Sequence, residues 1–289
     1  MSRLRNLAIL IASVVLTAWT ILPIVWTGIT SITPRVELYS IPPHWIPEHV
    51  NLRPYLQLFG LAPEITGVGL VTGSAPDFDR AILNSAVVSS LTTLALVAIS
   101  VLGGYALARL DFRGKNVIFL SFVATIPISL IAVYIPLFRL FLALHLFNTW
   151  QGLSLLYIGG LTPIGIWLMR SYFESLPWEV EDSALVDGCS RVQALVKVML
   201  PMSVPGVMAL VIYSVLSCWN EFLGALIFAP TLEGSKTITV LITEYVTKFG
   251  TAFDLMCAAA IISMIPPIIL AFVFQRYLIS GLTMGAKKG

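Results

Sequence analysis

From residue 7 to residue 32 the chain carries no charged side chain, and five further stretches, 81–110, 117–142, 152–172, 202–228 and 256–279, carry one charge each. A helix of about 20 apolar residues spans the hydrocarbon core of a bilayer. In lipid a segment must satisfy its own backbone N–H and C=O groups, which a helix does. Six such runs predict an all-α polytopic membrane protein with six transmembrane helices. Charged residues make up 11% of the chain, against about 25% in a soluble domain, too few to clothe a water-facing surface. The opening MSRLRN resembles the start of a signal peptide, but the run behind it is too long and no A-x-A cleavage site closes it. The first run therefore reads as a retained anchor.

Lysine and arginine set the orientation, because short cytoplasmic loops hold the excess. Arg3, Arg5, Arg109, Arg113, Lys115, Arg170, Arg191, Lys197, Arg276, Lys287 and Lys288 fall on one side; Arg35, Arg53, Arg80, Arg139, Lys236 and Lys248 fall on the other. The richer side is predicted to be cytoplasmic. Both termini and the tail 280–289 then lie inside, and the long loop 33–80 faces outward. Pro127, Pro136, Pro163, Pro205, Pro266 and Pro267 lie in the runs. Each removes a helix hydrogen bond that lipid cannot replace. Such helices border a cavity or are kinked to fit their neighbours. A Thr-, Val- and Ile-rich piece between the fifth and sixth runs is expected to pack as a short extra helix on the membrane surface.

One segment between two runs is of another kind: ESLPWEVEDSALVDGCSRVQALVKVMLP, residues 174–201. Pro177 suits a first helical turn, and Glu179, Glu181 and Asp182 follow where the helix dipole favours acids. Gly188 reads as a C-terminal stop. Ser190 and Gln193 have the spacing of a capping box that starts a second helix. There Val192, Leu195, Val196 and Met199 form one apolar stripe, and Pro201 ends the helix. The segment is thus two short helices joined by a tight turn at the cytoplasmic face. A DNA-binding helix-turn-helix would have only Arg191 and Lys197 for phosphates, so no nucleic-acid partner is expected. A plain connector is the structural alternative. A rigid knob with an acidic, capped face suits docking in a groove of a soluble partner.

EDSALVDGCSRVQALVKVMLP resembles the EAA loop of ABC importer permeases, whose pattern is E-A-A-x-x-D-G-A followed further on by L-P. Asp182, Ser183 and Ala184 occupy the E-A-A positions with Glu181 beside them, Asp187 and Gly188 match D-G, and Leu200 and Pro201 match L-P. The departures are Asp182 for Glu, Ser183 for Ala and Cys189 for Ala. YALARLDFRGK and the WNEF beginning at Trp219 are similar to segments of the carbohydrate-importer subfamily. GLTMGAKKG is similar to the tail of the second permease subunit of maltose-type systems. The resemblance implies the type I importer permease fold, with residues 174–201 as the coupling loop. It implies a heterodimer with a second permease subunit, two ATPase subunits, and an extracytoplasmic solute-binding protein that delivers a sugar. ATP and Mg would be used by the ATPase partner and not bound here. The location would be the plasma (inner) membrane of a bacterium or archaeon. It assigns ATPase coupling to Glu181, Asp182, Ser183, Ala184, Asp187, Gly188, Arg191, Leu200 and Pro201, and an ATPase interface to the tail residues Lys287, Lys288 and Gly289.

The residues themselves agree with that division of labour. No G-x-x-x-x-G-K-[ST] loop is present; RGKN and GSKT lack its spacing. Energy for transport must then come from another chain. Trp219, Asn220 and Glu221 in the fifth run and Asn84 in the second are candidate translocation-pathway residues, since a polar or charged group within a span usually faces protein or water. An interhelical hydrogen bond for Asn220 and Glu221, and helix capping at Asn84 and Ser85, are the structural alternatives. Trp19, Trp26, Trp45, Trp150 and Trp167 serve equally as interface anchors or sugar platforms. Cys189, Cys218 and Cys257 lack metal-ligand spacing and read as free thiols; no metal is expected. A self-contained secondary transporter would show inverted repeats and several mid-membrane ionisable groups, and a membrane enzyme would show a nucleophile–base set or paired carboxylates. Neither pattern is clear in this chain.

Overall fold

The computed structural model describes residues 2–42, 44–62, 76–247 and 250–286. The helices in chain order are α1 Ser2–Ile32, α2 Arg35–Leu38, α3 Arg53–Leu58, α4 Pro76–Arg109, α5 Lys115–Thr125, α6 Leu130–Ala143, α7 Trp150–Ser175, α8 Trp178–Val186 and α9 Arg191–Ala194. A π-helical turn, Leu195–Met199, leads into α10 Leu200–Met202, followed by α11 Val204–Asn220, α12 Leu223–Phe228, α13 Ile238–Glu244 and α14 Phe253–Ala286. Between α13 and α14 lies an antiparallel pair, β1 Val246–Thr247 and β2 Gly250–Thr251, with Val246 opposite Thr251.

Among the described residues, four helices are long and apolar enough to cross a bilayer: Arg5–Ile32, Asp77–Arg109, Trp150–Ser175 and Phe253–Gln275. The pair Arg191–Met202 and Val204–Asn220, bent by 77°, makes a fifth if taken as one span. Six uninterrupted spans are therefore not what is found, and three differences have physical causes. The run 117–142 is divided into α5 and α6. Pro127 cannot donate to the residue four back and disfavours helix before it, and Ser129 is extended, at φ −63° and ψ 119°. The run 202–228 stops at Asn220 and restarts at Leu223, with Glu221 extended between them. Pro201 does not end the loop's second helix, which continues to Met202. The Leu200 N–H reaches back five residues to the Leu195 carbonyl, and this wider turn makes room for the ring. By contrast Pro23, Pro136, Pro163, Pro266 and Pro267 sit inside unbroken helices. The short helix expected after the fifth run is α13, with Ile238, Val240 and Leu241 buried.

The chain divides into two compact units, Met1–Ile82 with Val240–Ile265, and Leu83–Thr239 with Pro266–Gly289. Within the first, Arg35 Nε donates to both carboxylate oxygens of Asp254, each at 2.8 Å, and Tyr39 Oη donates to the Thr251 carbonyl at 2.6 Å. Within the second, Leu96, Val101, Tyr105 and Ala108 of α4 pack with Met169 and Phe173 of α7, Leu195 and Met199, and Leu210 of α11 in one buried cluster. Lipid is as apolar as these side chains, so the cluster depends on close packing. A Cβ on Gly104 would lie 2.7 Å from Met169 Cβ and 2.8 Å from the Arg170 backbone nitrogen. One on Gly206 would lie 2.5 Å from the Tyr172 ring. The 174–201 segment therefore shares its core with three membrane helices.

Candidate functional site

The segment 174–201 builds itself from local signals. Gly188 has φ +87°, a left-handed conformation that glycine adopts without steric cost. Its N–H donates to the Leu185 carbonyl at 3.1 Å, and the Cys189 N–H donates to Ala184 at 3.0 Å. These two bonds form a Schellman stop. Ser190 then accepts from the Gln193 N–H at 3.3 Å, while the Gln193 side chain accepts from the Ser190 N–H at 2.9 Å, completing the capping box. The two helices are thus fixed about a turn whose N–H groups from Asp187 to Ser190 are all bonded.

The candidate coupling residues divide into two sets. Asp182, Ser183, Asp187, Gly188, Arg191 and Pro201 are exposed, and Ser183 Oγ donates back to the Glu179 carbonyl at 2.7 Å. Ala184 is buried, and Leu200 packs against the shared core. Glu181 is the surprise: it is 2% exposed, so it is not part of an outward docking face. Tyr105 Oη donates to Glu181 Oε1 at 2.6 Å, and Arg109 Nε lies 3.6 Å from Glu181 Oε2. Nη2 of Arg109 donates to the Phe173 and Leu176 carbonyls, each at 2.7 Å, capping the end of α7. The guanidinium lies 4.3 Å from the centre of the Trp178 ring, within cation–π range. Sequence reasoning missed Tyr105, Arg109 and Trp178. A signal was present, because Tyr105 and Arg109 stand four apart within YALARLDFRGK, and residues at that spacing share a helix face.

The apolar stripe of the second helix also divides. Leu195 and Met199 are buried, but Val192 and Val196 are 70% and 54% exposed. Val186, before the turn, is 87% exposed. The outward face is therefore valines among short polar and charged groups.

The candidate pathway residues are not brought together in one open site. Asn84 is buried, not open to a channel: its Nδ2 donates to the Lys236 carbonyl at 3.0 Å and its Oδ1 accepts from Trp150 Nε1 at 2.8 Å. It does not cap α4, which begins two turns earlier. Ser85 beside it accepts from the Ile238 N–H at 2.9 Å and so caps α13. Trp219 is 6% exposed, its ring within the protein. Asn220 is exposed and donates to the Leu216 carbonyl at 2.8 Å. The Glu221 carboxylate accepts from the Gly224 and Ala225 N–H groups at 2.7 and 3.0 Å and from Tyr157 Oη at 2.7 Å. It caps α12 where the fifth run breaks, beside a cavity of about 70 Å³ lined by Tyr134, Tyr157, Ser217 and Cys218. Lys287, Lys288 and Gly289 lie outside the described residues. Among the described residues no group of three or more His, Cys, Asp or Glu is placed to hold a metal ion.

Residues 100–284 match the family described as the binding-protein-dependent transport system inner membrane component. The chain belongs to that family. Its relatives include the sulfoquinovosyl glycerol transport system permease protein SmoH of Agrobacterium fabrum, 34% identical over 279 residues, 96% of this chain and 93% of the relative. Another is the trehalose/maltose transport system permease protein MalG of Thermococcus litoralis, 34% identical over 213 residues, 73% of this chain and 76% of the relative. The fold is shared with a chain of a bacterial ABC transporter involved in the import of the acidic polysaccharide alginate. That match has a TM-score of 0.78 and 20% identity and covers 95% of this chain and 96% of the other. This permease is accordingly a multi-pass membrane subunit of an ABC importer, a transport component and not an enzyme. The self-contained secondary transporter left open by the sequence is set aside.

Proposed function

We propose that this permease forms one half of the translocation pathway for a sugar or sugar-containing solute, paired with a second permease subunit and driven by two ATPase subunits that use ATP and Mg. A solute-binding protein outside the membrane delivers the substrate. Residues 174–201 face the cytoplasm, as do both termini, and the exposed face carrying Asp182, Ser183, Asp187 and Arg191 with Val186, Val192 and Val196 seats in a cleft of the ATPase. The tail Lys287–Lys288–Gly289 extends the same interface. The substrate class rests on relatives named for trehalose/maltose and sulfoquinovosyl glycerol transport.

One observation carries the coupling role: the turn of the segment is held by a glycine stop and a capping box yet the segment leaves valines exposed, while its inward residues belong to the core of three membrane helices. A connector needs neither feature. The test uses the whole complex in liposomes, offered disaccharides, oligosaccharides and sugar phosphates with the binding protein. Replacing residues 185–189 by a run of glycines is expected to leave ATP hydrolysis running and to abolish accumulation. Accumulation unchanged by the graft would sink the proposal.

A further inference from the structure

The coupling segment is covalently continuous with α7 before it and α11 after it, but not with α4. The end of α4 is nonetheless fastened to it. Arg109, whose side chain is fully buried, grips the last carbonyls of α7 and lies over Trp178 of α8. Tyr105 holds the buried carboxylate of Glu181, one turn along α8, and its hydroxyl also lies 3.5 Å from the Arg191 carbonyl of α9. Tyr105 stacks edge-on against Phe173 of α7, with centroids 5.8 Å apart. Helix α7 and both halves of the segment, α8 and α9, therefore meet on two side chains of α4.

We propose that Tyr105, Arg109 and Glu181 are positioning residues that latch α8 to α4, so that thrust received by the loop reaches α4 together with α7 and α11. The proposal rests on the reading of residues 174–201 as the ATPase-facing element. The physical ground is the cost of separation. Stripping a buried charge of its partner is strongly unfavourable, so α8 cannot leave α4 without exposing or orphaning Arg109 and Glu181. The latch also has slack. Arg109 Nε and Glu181 Oε2, 3.6 Å apart, are buried and have no hydrogen-bond partner among the described residues. Charge-assisted N–H···O contacts close at about 2.7–2.9 Å, so a shift under about 1 Å of α8 toward α4 converts this pair from neighbours into a direct bond.

The experiment measures solute accumulated per ATP hydrolysed, together with the yield of assembled complex, for Tyr105→Phe, Glu181→Gln, Arg109→Gln and the double variant Arg109→Gln/Glu181→Gln. The expected result is normal assembly for Tyr105→Phe and Glu181→Gln with transport per ATP lowered by about tenfold, a size typical of coupling free energies. The double variant should be no worse than either single variant, since the two groups act as one unit. Tyr105→Phe removes one hydroxyl and keeps the test open if Arg109→Gln fails to assemble. For Tyr105→Phe and Glu181→Gln, a fall in hydrolysis and transport in equal proportion, or in assembly alone, overturns the latch. If the glycine graft uncouples and the latch variants do not, only the latch is wrong; if neither uncouples, the reading of the loop itself is wrong.

Discussion

Glu221 sits in a run of apolar residues, yet its carboxylate is more fully bonded than most surface acids. Two backbone N–H groups at the start of α12 and the Tyr157 hydroxyl converge on it. A helix start leaves such N–H groups without intrahelical partners, and a buried unsatisfied donor costs about 1–3 kcal/mol. The side chain thus holds the break between α11 and α12. Glu221→Gln is expected to lower the melting temperature of the solubilised complex, with a cost of about 1–3 kcal/mol. Combining it with Tyr157→Phe should add little, since both remove the same bond. A melting curve left in place with a raised KM for solute would instead make Glu221 a substrate contact. From the sequence, a lone acid beside Trp219 and Asn220 points as readily to a pathway as to a hydrogen bond between helices. The deciding partners are Tyr157, far back in the chain, and N–H groups freed only because the helix breaks. Glu181 was illegible for the same reason: its partners stand more than seventy residues away, and its neighbours in sequence all describe an exposed acidic turn.

At the scale of elements, what was legible is what is local. The glycine stop at Gly188 and the capping box of Ser190 and Gln193 need only residues within one turn of each other, and both form. Helix breaks were less legible, because a proline marks a missing bond and not the outcome. Pro127 accompanies a break, while Pro136 and Pro163 are carried through intact helices whose neighbours hold them. Helix contact through small residues is likewise invisible in one strand of sequence, where Gly103 and Gly104 look alike. A Cβ on Gly104 meets the backbone of α7, but one on Gly103 meets only the flexible end of Ile166, at 3.3 Å. Gly104→Ala should therefore destabilise by about 1–3 kcal/mol through overpacking, and Gly103→Ala by clearly less. Paired thermal melts of the two variants check the difference.

For the whole molecule, the proposed orientation places the coupling segment inside and the α2–α3 region outside. In a chain lacking Cys189, Cys218 and Cys257, a thiol at Val186→Cys should react with a membrane-impermeant reagent only in inside-out vesicles, and one at Ile41→Cys only in right-side-out vesicles. Both positions are exposed. The reverse pattern would invert the topology. Bound ATPase should shield the first thiol and leave the second. The 77° corner at Ser203, where the buried hydroxyl donates to the Met199 carbonyl at 2.6 Å, has a mechanical consequence. If α11 stands upright in the bilayer, the arm 191–202 runs nearly flat beneath it, about 18 Å long at 1.5 Å per residue. The joint then works as a bell crank: a lift of about 3 Å at the far tip swings the upright limb through about 10° on that arm length. Small motions below the lipid are thereby magnified into tilting at the opposite surface.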